Sequence, residues 1–366
     1  MTPDCKTEIA EILRNTDPSL DRQLLDKADH CRRQHLGSAV YPRGLIEFSN
    51  SCPRNCFYCG LRRGNSLIRR YHLEREQIIE LALQAYNDGY HSICLQSGEL
   101  SSGREMDFMV DLVSTIKRCS SKKSGPGLGI TLSLGELTYK QYRRLWDAGA
   151  HRYLLRIETS NPLLFQKIHP PEQNYNRRLE CLEALREIGY QVGTGVMIGL
   201  PGQSYEDLAG DLEFFLAKDI DMLGMGPYIP HPDTPLAQEK PESIPDAFST
   251  SIRMLALARI LMPDINMVAS TALQSIHPDG LRLGLKAGAN IVMPVLTPEE
   301  KRKDYMLYAH KKYRDFEHLK QDIQEAGYEL TLWQWGDSPH YFKRRELSTP
   351  DCSPAGNNIC SLRQRT

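Results

Sequence analysis

Apolar and polar residues alternate along the chain in two rhythms, one typical of buried strands and the other of amphipathic helices. Eight short apolar segments predict strands at 44–49, 92–98, 129–135, 153–159, 192–200, 222–229, 267–273 and 290–294. The stretches between them, such as "REQIIELALQAYNDG" and "NRRLECLEALREIG", place apolar residues at helical spacing, and several end in a glycine typical of a helix C-terminus. The pattern therefore predicts eight successive strand–helix units.

Eight such units favour an α/β fold, a closed (β/α)8 barrel of the TIM type, over the alternative of a doubly wound open sheet. Helical patterns in "TEIAEILRN" and "LDRQLLDKADHCRRQHLG" precede these units, and Gly37 is a suitable end for the second helix. We accordingly divide the chain into an N-terminal helical segment at 1–40, the barrel at 41–310 and a helical or irregular C-terminal extension at 311–366. The last residues, "STPDCSPAGNNICSLRQRT", are rich in turn formers and predict a poorly packed tail.

Composition restricts the expected partners and compartment. The 366 residues are 40% hydrophobic and 25% charged, as in soluble globular proteins, and the formal net charge of −1 gives no reason to expect nucleic acid or a membrane as partner. No apolar run reaches transmembrane length and "MTPDCKTEIAEILRNTD" lacks a signal-peptide core, so we expect a cytoplasmic location. In that compartment, clustered thiols among the ten cysteines predict metal ligands or catalytic groups rather than disulfides.

Three of these cysteines lie in "SNSCPRNCFYCGLRRGN", directly after the first predicted strand. Cys52, Cys56 and Cys59 have the spacing C-x3-C-x2-C at the end of a strand where a barrel carries its active site. Three thiolates are one ligand short of a closed zinc site, and His72 is the nearest histidine. They are also one short of the usual four for a 4Fe–4S cluster, which would leave one iron open. From the residues alone, a cluster, a zinc site and incidental buried cysteines are the alternatives.

Two further strand ends carry polar residues. In "YLLRIET", alternation places Leu154, Arg156 and Glu158 on one face of the fourth strand, where buried charges must be paired with each other or with a ligand. The second strand ends in "LQSGE", which is either a simple turn or a place where glycine lets the backbone approach a ligand.

The cysteine spacing after the first strand of a barrel resembles that of the radical S-adenosylmethionine (SAM) superfamily. The resemblance implies that Cys52, Cys56 and Cys59 hold a 4Fe–4S cluster whose open iron binds the methionine end of SAM. It further implies that an electron from the cluster cleaves SAM to a 5′-deoxyadenosyl radical. The positions that contact SAM in this superfamily correspond here to Tyr58, beside the adenine, and to Ser97, Gly98 and Glu99.

Longer motifs resemble one branch, the FeFe-hydrogenase maturase HydE, a relative of biotin synthase and of the methylornithine synthase PylB. These motifs include "SNSCPRNCFYCGLRRGN", "ITLSLGE", "RYLLRIET", "NRRLECL", "GPYIPHPDTPLA" and "MPVLTP". The resemblance implies SAM contacts from Arg156, Glu158 and Arg178, and a substrate cavity lined by Thr131, Ser270, Thr271 and Tyr305. It also implies a role in hydrogenase cofactor assembly, acting on an iron–cysteine complex that carries CO and cyanide.

The sequence departs from this branch at a few positions. Ile157 stands where HydE usually has histidine, and Val295 and Leu296 stand where asparagine and an aromatic residue are typical. Alternation predicts that Ile157 points away from Arg156 and Glu158, so SAM binding should persist, although the change suggests a paralogue. We expect no second cluster from Cys352 and Cys360, and we interpret the remaining cysteines as isolated structural residues: Cys5, Cys31, Cys94, Cys119 and Cys181.

The sequence thus predicts a HydE-like radical SAM enzyme that acts on a small sulfur-containing or organometallic substrate. A PylB-like mutase of amino-acid skeletons, biotin-synthase-like sulfur chemistry and a non-catalytic metal-binding scaffold are the alternatives. The expected partners are a small-molecule substrate, an electron donor such as ferredoxin or flavodoxin, and other maturases.

Overall fold

The computed structural model describes residues 3–121, 125–239 and 244–348. Twelve strands lie in these ranges. They are β1 (Ala39–Pro42), β2 (Gly44–Ser49), β3 (Ser92–Ser97), β4 (Gly129–Ser133), β5 (Arg152–Leu154), β6 (Gln191–Thr194), β7 (Met197–Ile198), β8 (Met222–Leu223), β9 (Gly226–Pro227), β10 (Asn266–Met267), β11 (Ile291–Val292) and β12 (Glu329–Leu330). All of the pairings between these strands are parallel.

The strands form a closed barrel, as the sequence predicts. Seven of them follow the spatial order β2-β3-β4-β5-β6-β8-β10. The segment around β11 closes the ring on one side, where the Ala269 amide donates to the Ile291 carbonyl at 3.0 Å. On the other side, the Leu45 amide donates to the Pro294 carbonyl and the Leu296 amide donates to the Leu45 carbonyl, each at 2.8 Å. The segment around β11 is therefore the eighth strand of the barrel. It joins β10 to β2, so the sheet has no open edge between these two strands.

Helices cover the outside of the barrel. They are α1 (Pro3–Arg14), α2 (Pro18–Leu36), α3 (Arg75–Asn87), α4 (Gly103–Ser120), α5 (Tyr139–Asp147), α6 (Pro162–Ile168), α7 (Tyr175–Ile188), α8 (Tyr205–Ala217), α9 (Ala247–Leu261), α10 (Thr271–Ile276), α11 (Gly280–Lys286), α12 (Glu299–Arg302), α13 (Phe316–Glu325) and α14 (Pro339–Ser348). Along β4, Ile130 and Leu132 are buried in the core between strands and helices. Thr131 and Ser133 face the barrel interior, as alternation requires.

Several predicted strands are shorter in the structure. The predicted strand at 153–159 keeps only β5, and those at 192–200 and 222–229 are each split into two short strands. The predicted strand at 267–273 is wrong at its end, because Ser270 is the N-cap of α10 and Thr271 is its first residue. An apolar strand end and the first turn of a buried helix have the same hydrophobic pattern, so periodicity does not separate them.

The N-terminal helices pack against the outer layer of the barrel. α1 contacts α8, and α2 contacts α9. Leu13 of α1 is fully buried in the core, and the Arg253 guanidinium forms an ion pair with Asp21 at 2.7 Å. The predicted helical segment at the N-terminus therefore shares a hydrophobic core with the barrel.

The described part of the C-terminal extension closes the amino-terminal end of the barrel. β12 pairs with β1, and the segment after it reaches across the barrel bottom. There Asp337 accepts from Arg152 Nε at 2.8 Å, and the carbonyl of Trp335 accepts from Arg152 Nη2 at 3.0 Å. Arg43 Nη2 donates to the Gly336 carbonyl at 3.2 Å. This segment, residues 333–344, is called the bottom plug below.

Removing the Asp337 carboxylate should destabilise the fold, because Arg152 is fully buried and would lose its counterion. We expect Asp337→Ala to lower the free energy of unfolding by about 3–5 kcal/mol, the usual effect of breaking a buried ion pair. The matched control is Asp147→Ala, which breaks a pair with side chains 53% and 56% exposed and should cost less than about 1 kcal/mol. Urea titrations of both variants test this, and equal losses would contradict it.

The same pair predicts a pH dependence. Burial would raise the pKa of Asp337, but Arg152 and His151 hold that pKa well below its usual value. A lowered folded-state pKa contributes stability above the carboxyl pKa of the unfolded chain, about 3.9, and loses it as the pH falls further. The stability difference between wild type and Asp337→Ala should therefore be full at pH 6–7 and shrink below pH 4.

Candidate active site

A cavity of about 330 Å³ opens at the carboxyl ends of the strands, where a barrel carries its active site. It brings together thirteen of the fourteen residues predicted from the sequence. These are Cys52, Cys56, Cys59, Tyr58, Ser97, Gly98, Glu99, Arg156, Glu158, Arg178, Ser270, Thr271 and Tyr305. They come from the loops after five different strands, so only the closed barrel makes them neighbours.

Thr131 is the exception among the predicted residues. It is buried on β4, and its hydroxyl accepts from Arg152 Nη1 at 3.3 Å. Arg152 is held by the bottom plug, so Thr131 belongs to the polar layer beneath the cavity. Ser133, two residues further along the same face, lines the cavity instead. Ser133 therefore lines the cavity on the strand where the resemblance implies Thr131, and a role of Thr131 in substrate binding stays a prediction.

The cysteine loop is fixed from behind by Arg70. Its guanidinium donates to four backbone carbonyls, those of Asn50 (2.7 Å), Leu61 (2.9 Å), Arg62 (2.7 Å) and Asn65 (3.2 Å). These acceptors lie on both sides of the cysteines in sequence. One side chain therefore holds both ends of the loop and leaves the thiols facing the cavity.

Gly98 touches the cysteine loop. A Cβ at this position would lie 2.1 Å from the Ser51 carbonyl oxygen and 2.6 Å from Cys52 Cβ, closer than real atoms approach. The next amide, that of Glu99, lies 3.5 Å from Cys52 Sγ and donates to it. Glycine is thus required because the end of β3 packs directly on the loop, a reason that neither interpretation of the sequence, a simple turn or an approach to a ligand, contained.

The three thiols are free, and their residues are partly buried. Burial raises the pKa of Cys52 and Cys59, and burial together with Cys52 raises the pKa of Cys56 to about 12. Cys56 Sγ donates to the amide oxygen of Gln173 at 3.0 Å. Thiols in this state become thiolates when a metal displaces their protons. Three adjacent soft ligands without a disulfide fit an iron–sulfur cluster with one iron not bound by cysteine.

A chain of alternating charges runs along one wall of the cavity. Arg54, inside the cysteine loop, forms an ion pair with Glu99 and lies 3.6 Å from Glu136. Glu136 in turn accepts from Arg178 Nε at 2.6 Å. The sequence analysis did not identify Arg54 or Glu136 as residues of the site. The available signals were a cation between two cysteines and a glutamate at the end of the third strand.

Arg156 and Glu158 lie side by side in the cavity with unused hydrogen-bonding capacity. Arg156 Nη2 is 3.1 Å from Glu158 Oε2. Among the described residues, Arg156 Nε is buried and makes no hydrogen bond, and Glu158 Oε2 is buried with no partner beyond this ion pair. Glu158 also has a φ of 68°, which is strained for a residue with a side chain. Strain together with orphaned buried polar atoms is typical of a ligand-binding position.

The unusual residues near this site do not change the cavity. Ile157 is fully buried in the outer core, and its amide donates to the Thr194 hydroxyl at 3.1 Å. It points away from Arg156 and Glu158, as alternation predicted. Val295 pairs with Leu45, and Leu296 packs against Gly44, so both serve barrel closure and neither lines the cavity.

Tyr58 is held by a histidine that the sequence analysis did not identify. The Tyr58 hydroxyl lies 3.2 Å from His169 Nε2, and His169 Nδ1 lies 2.9 Å from the Phe165 carbonyl. Burial and the nearby Arg178 lower the pKa of His169 to about 3, so the ring is neutral. Nδ1 must carry the proton to reach a carbonyl, so Nε2 accepts from Tyr58. This fixes the tyrosine ring at the cavity wall.

A closed β/α barrel with a three-cysteine loop after its first strand defines a radical SAM enzyme, and comparisons with known proteins agree. The model of the Radical SAM superfamily matches residues 46–215, and that of the Biotin and Thiamin Synthesis associated domain matches residues 227–329. The chain is 45% identical over 303 residues, 83% of each protein, to the FeFe hydrogenase maturase subunit HydE of Thermotoga maritima. It therefore belongs to the HydE family of the radical SAM superfamily, whose members contain a 4Fe–4S cluster and use SAM.

More distant relatives share the fold. The 3-methylornithine synthase of Methanosarcina acetivorans is 29% identical over 296 residues, which are 81% of this chain and 79% of that protein. The crystal structure of the methylornithine synthase PylB superposes with a TM-score of 0.78 at 24% identity, covering 90% of this chain and 94% of that chain.

The five other cysteines that the structure describes do not line the cavity. Cys94 and Cys181 are buried, and Cys5, Cys31 and Cys119 are partly buried. Cys352 and Cys360, for which we expect no second cluster, lie outside the described residues. Within the described ranges, no helix is long and apolar enough to cross a membrane.

A methyl group at position 98 should displace the cysteine loop, because it would collide with the Ser51 backbone. We expect Gly98→Ala to cost about 1–3 kcal/mol of stability, as overpacking does, and to reduce the iron bound after anaerobic reconstitution. Gly103→Ala is the matched control, since nothing lies within 4 Å of the added Cβ. Iron analysis and the visible absorption spectrum measure the cluster content of both variants. Equal iron content would show that the contact is not required.

Proposed function

We propose that Cys52, Cys56 and Cys59 hold a 4Fe–4S cluster at which SAM binds, and that the enzyme acts in maturation of the FeFe-hydrogenase cofactor. The substrate class is a small sulfur-containing or organometallic compound. The single observation that carries this proposal is 45% identity to HydE over 83% of both chains, with the predicted residues gathered around one cavity. When bound, the cluster supplies the electron that cleaves SAM to methionine and a 5′-deoxyadenosyl radical.

The residues around the loop adjust its charge. The Glu99 amide donates to Cys52 Sγ, and a hydrogen bond of this kind stabilises the negative charge of a thiolate ligand. Arg54 adds a cation inside the loop, while its ion pair with Glu99 fixes its position. Both contacts favour the thiolate form and hold the loop in one conformation.

SAM is assigned to the wall formed by Arg156, Glu158 and Arg178. Arg178 is oriented by Glu136 and by the Arg156 carbonyl, so its charge is in place before a ligand arrives. The guanidinium groups match a carboxylate, and the Glu158 carboxylate matches an ammonium or ribose hydroxyls. Tyr58 is assigned to the adenine, and Ser270, Thr271 and Tyr305 to the substrate side.

Three alternatives are weaker. A PylB-like mutase and biotin-synthase-like sulfur chemistry would use the same SAM machinery, but those relatives are only 29% and 28% identical to this chain. A metal-binding scaffold without activity does not account for the strained Glu158 facing an enclosed cavity. Incubation with L-lysine and SAM distinguishes the mutase alternative from the maturation role, since formation of 3-methylornithine would contradict the maturation role.

The maturation role is tested by reconstituting hydrogenase in vitro. An apo-hydrogenase is incubated with the other maturases, SAM and a low-potential electron donor such as ferredoxin or flavodoxin, with or without this protein. We expect hydrogen evolution only when it is present. Failure of maturation with intact SAM cleavage would reject the maturase role and leave the radical SAM chemistry standing.

Loss of one ligand should abolish cluster chemistry. We expect reduced, reconstituted Cys56→Ala to lack both the SAM-sensitive 4Fe–4S signal and 5′-deoxyadenosine formation, because two thiolates do not hold the cluster. Cys119→Ala is the matched control, as this partly buried cysteine lies on α4 away from the cavity. Electron paramagnetic resonance and chromatography of the products give the two readouts. A wild-type protein that lacks both signals would reject the enzyme proposal.

Removing the charge of Glu158 should weaken SAM binding specifically. Glutamine keeps the shape but loses a charge-assisted hydrogen bond, worth about 1.5–3 kcal/mol, so the Kd for SAM should rise roughly ten- to hundredfold. Glu180→Gln, on an exposed face of α7, should leave the Kd unchanged. Equilibrium dialysis with the reconstituted variants measures both values. An unchanged Kd in Glu158→Gln would remove this residue from the SAM site.

A further inference from the structure

One buried ion pair in the cavity has no role in the site described so far. Lys311, after β11, pairs with Glu47 of β2, and the exposed fractions of their side chains are 2% and 1%. Both residues line the cavity. They are 264 positions apart in the chain. We call them the Glu47–Lys311 pair.

A buried ion pair adds little to stability, because the cost of removing both charges from water offsets their attraction. The pair also has unused capacity. Glu47 Oε2 is buried and makes no hydrogen bond to any described residue, while Glu47 Oε1 accepts from Lys311. The Lys311 ammonium carries three donors, and its other near neighbours are the rings of Tyr305 and Tyr313 at 5.0 and 5.2 Å. An acceptor and further donors are thus available beside the cavity.

The Glu47–Lys311 pair lies on a different wall from Arg156 and Glu158, the charged residues after β5 assigned to SAM. Glu47 is on β2, whereas Arg156 and Glu158 follow β5, three strands away around the barrel. Ser270, whose hydroxyl is buried without a hydrogen-bond partner among the described residues, also lines the cavity. The cavity therefore has two charged poles, and only one of them is needed for SAM.

The position of Lys311 is fixed before any ligand arrives. The segment that carries it crosses the barrel mouth and is held at several points. The Asp304 carbonyl accepts from Asn50 Nδ2 at 2.6 Å, and the Leu307 carbonyl accepts from the Gly60 amide at 2.9 Å. The Lys312 amide donates to the Ser275 hydroxyl at 3.0 Å. Such preorganisation is typical of a binding group, because less ordering is left for the ligand to bring about.

We propose that the Glu47–Lys311 pair binds an α-amino-acid head group of the substrate, a site that rests on the proposed radical SAM function. The substrate carboxylate lies against the Lys311 ammonium, and the substrate ammonium donates to Glu47 Oε2. The substrate is therefore an amino acid or a compound that retains a free amino-acid head group.

The pair carries one positive and one negative group, and this combination selects a zwitterionic ligand. A lone anion attracted by Lys311 would also meet the Glu47 carboxylate, and a lone cation attracted by Glu47 would meet the Lys311 ammonium. Only a ligand with both signs on neighbouring atoms gains from both contacts. Like-charge juxtaposition in a desolvated site thus excludes simple anions and amines.

The test uses three probes with closely similar carbon skeletons: L-2-aminobutyrate, butyrate and propylamine. Each is titrated by ligand-detected NMR into anaerobic, reconstituted enzyme saturated with SAM, so that the first pole is occupied. We expect L-2-aminobutyrate to bind at least tenfold more tightly than either other probe. Lys311→Met should weaken its binding at least tenfold, and Lys312→Met, an exposed neighbour, should leave it unchanged.

A second variant guards against misfolding. Lys311→Met leaves Glu47 buried without a partner. The double variant Glu47→Gln with Lys311→Met removes both charges, so it should fold, and it should also fail to bind L-2-aminobutyrate. Equal binding of butyrate and L-2-aminobutyrate, retained binding in the double variant, or no binding to wild type would each overturn the proposal. The SAM-sensitive cluster signal is recorded on the same samples, so its absence would instead reject the proposed function.

Discussion

The barrel depends on one constraint: charged side chains in its interior are shielded from water and must be paired. Its interior contains arginine, lysine and glutamate side chains that the strands and helices shield from solvent, and each of them needs a partner. At the bottom, Arg152 is neutralised by Asp337 and also donates to the Trp335 carbonyl. Higher up, Arg178 is paired with Glu136. At Arg156 and Glu158, whose hydrogen bonding is incomplete, the side chains line the cavity, which fits a ligand-binding position.

Two arginines of one segment differ in how completely their buried nitrogens are paired. Arg152 is buried and makes contacts with every nitrogen of its guanidinium, so it serves the fold. Arg156 donates to the Val196 carbonyl but keeps its Nε unpartnered, and it stands beside a strained glutamate. The two residues lie on the same segment, four positions apart. The more completely paired arginine lies beneath the cavity, and the less completely paired one lines it.

Local signals in the sequence predicted much of this arrangement. The cysteine spacing, the alternation around Ile157 and the eight apolar segments are each contained in a few consecutive residues. The bottom plug and the Glu47–Lys311 pair could not be found in this way, because their partners are 185 and 264 positions apart. Thr131 shows a further limit. Periodicity gives the face of a strand, but the depth of a side chain in a barrel follows from strand tilt and stagger.

The bottom plug gives the barrel an order of assembly. All eight barrel strands precede residue 300, whereas the segment that neutralises Arg152 begins only after residue 330. During synthesis the amino-terminal part of a chain emerges and folds first. A ring of strands that closed before this segment was made would hold Arg152 without its counterion. Docking of the bottom plug supplies that counterion and shields the arginine from water, so it is the step that seals the lower end of the barrel.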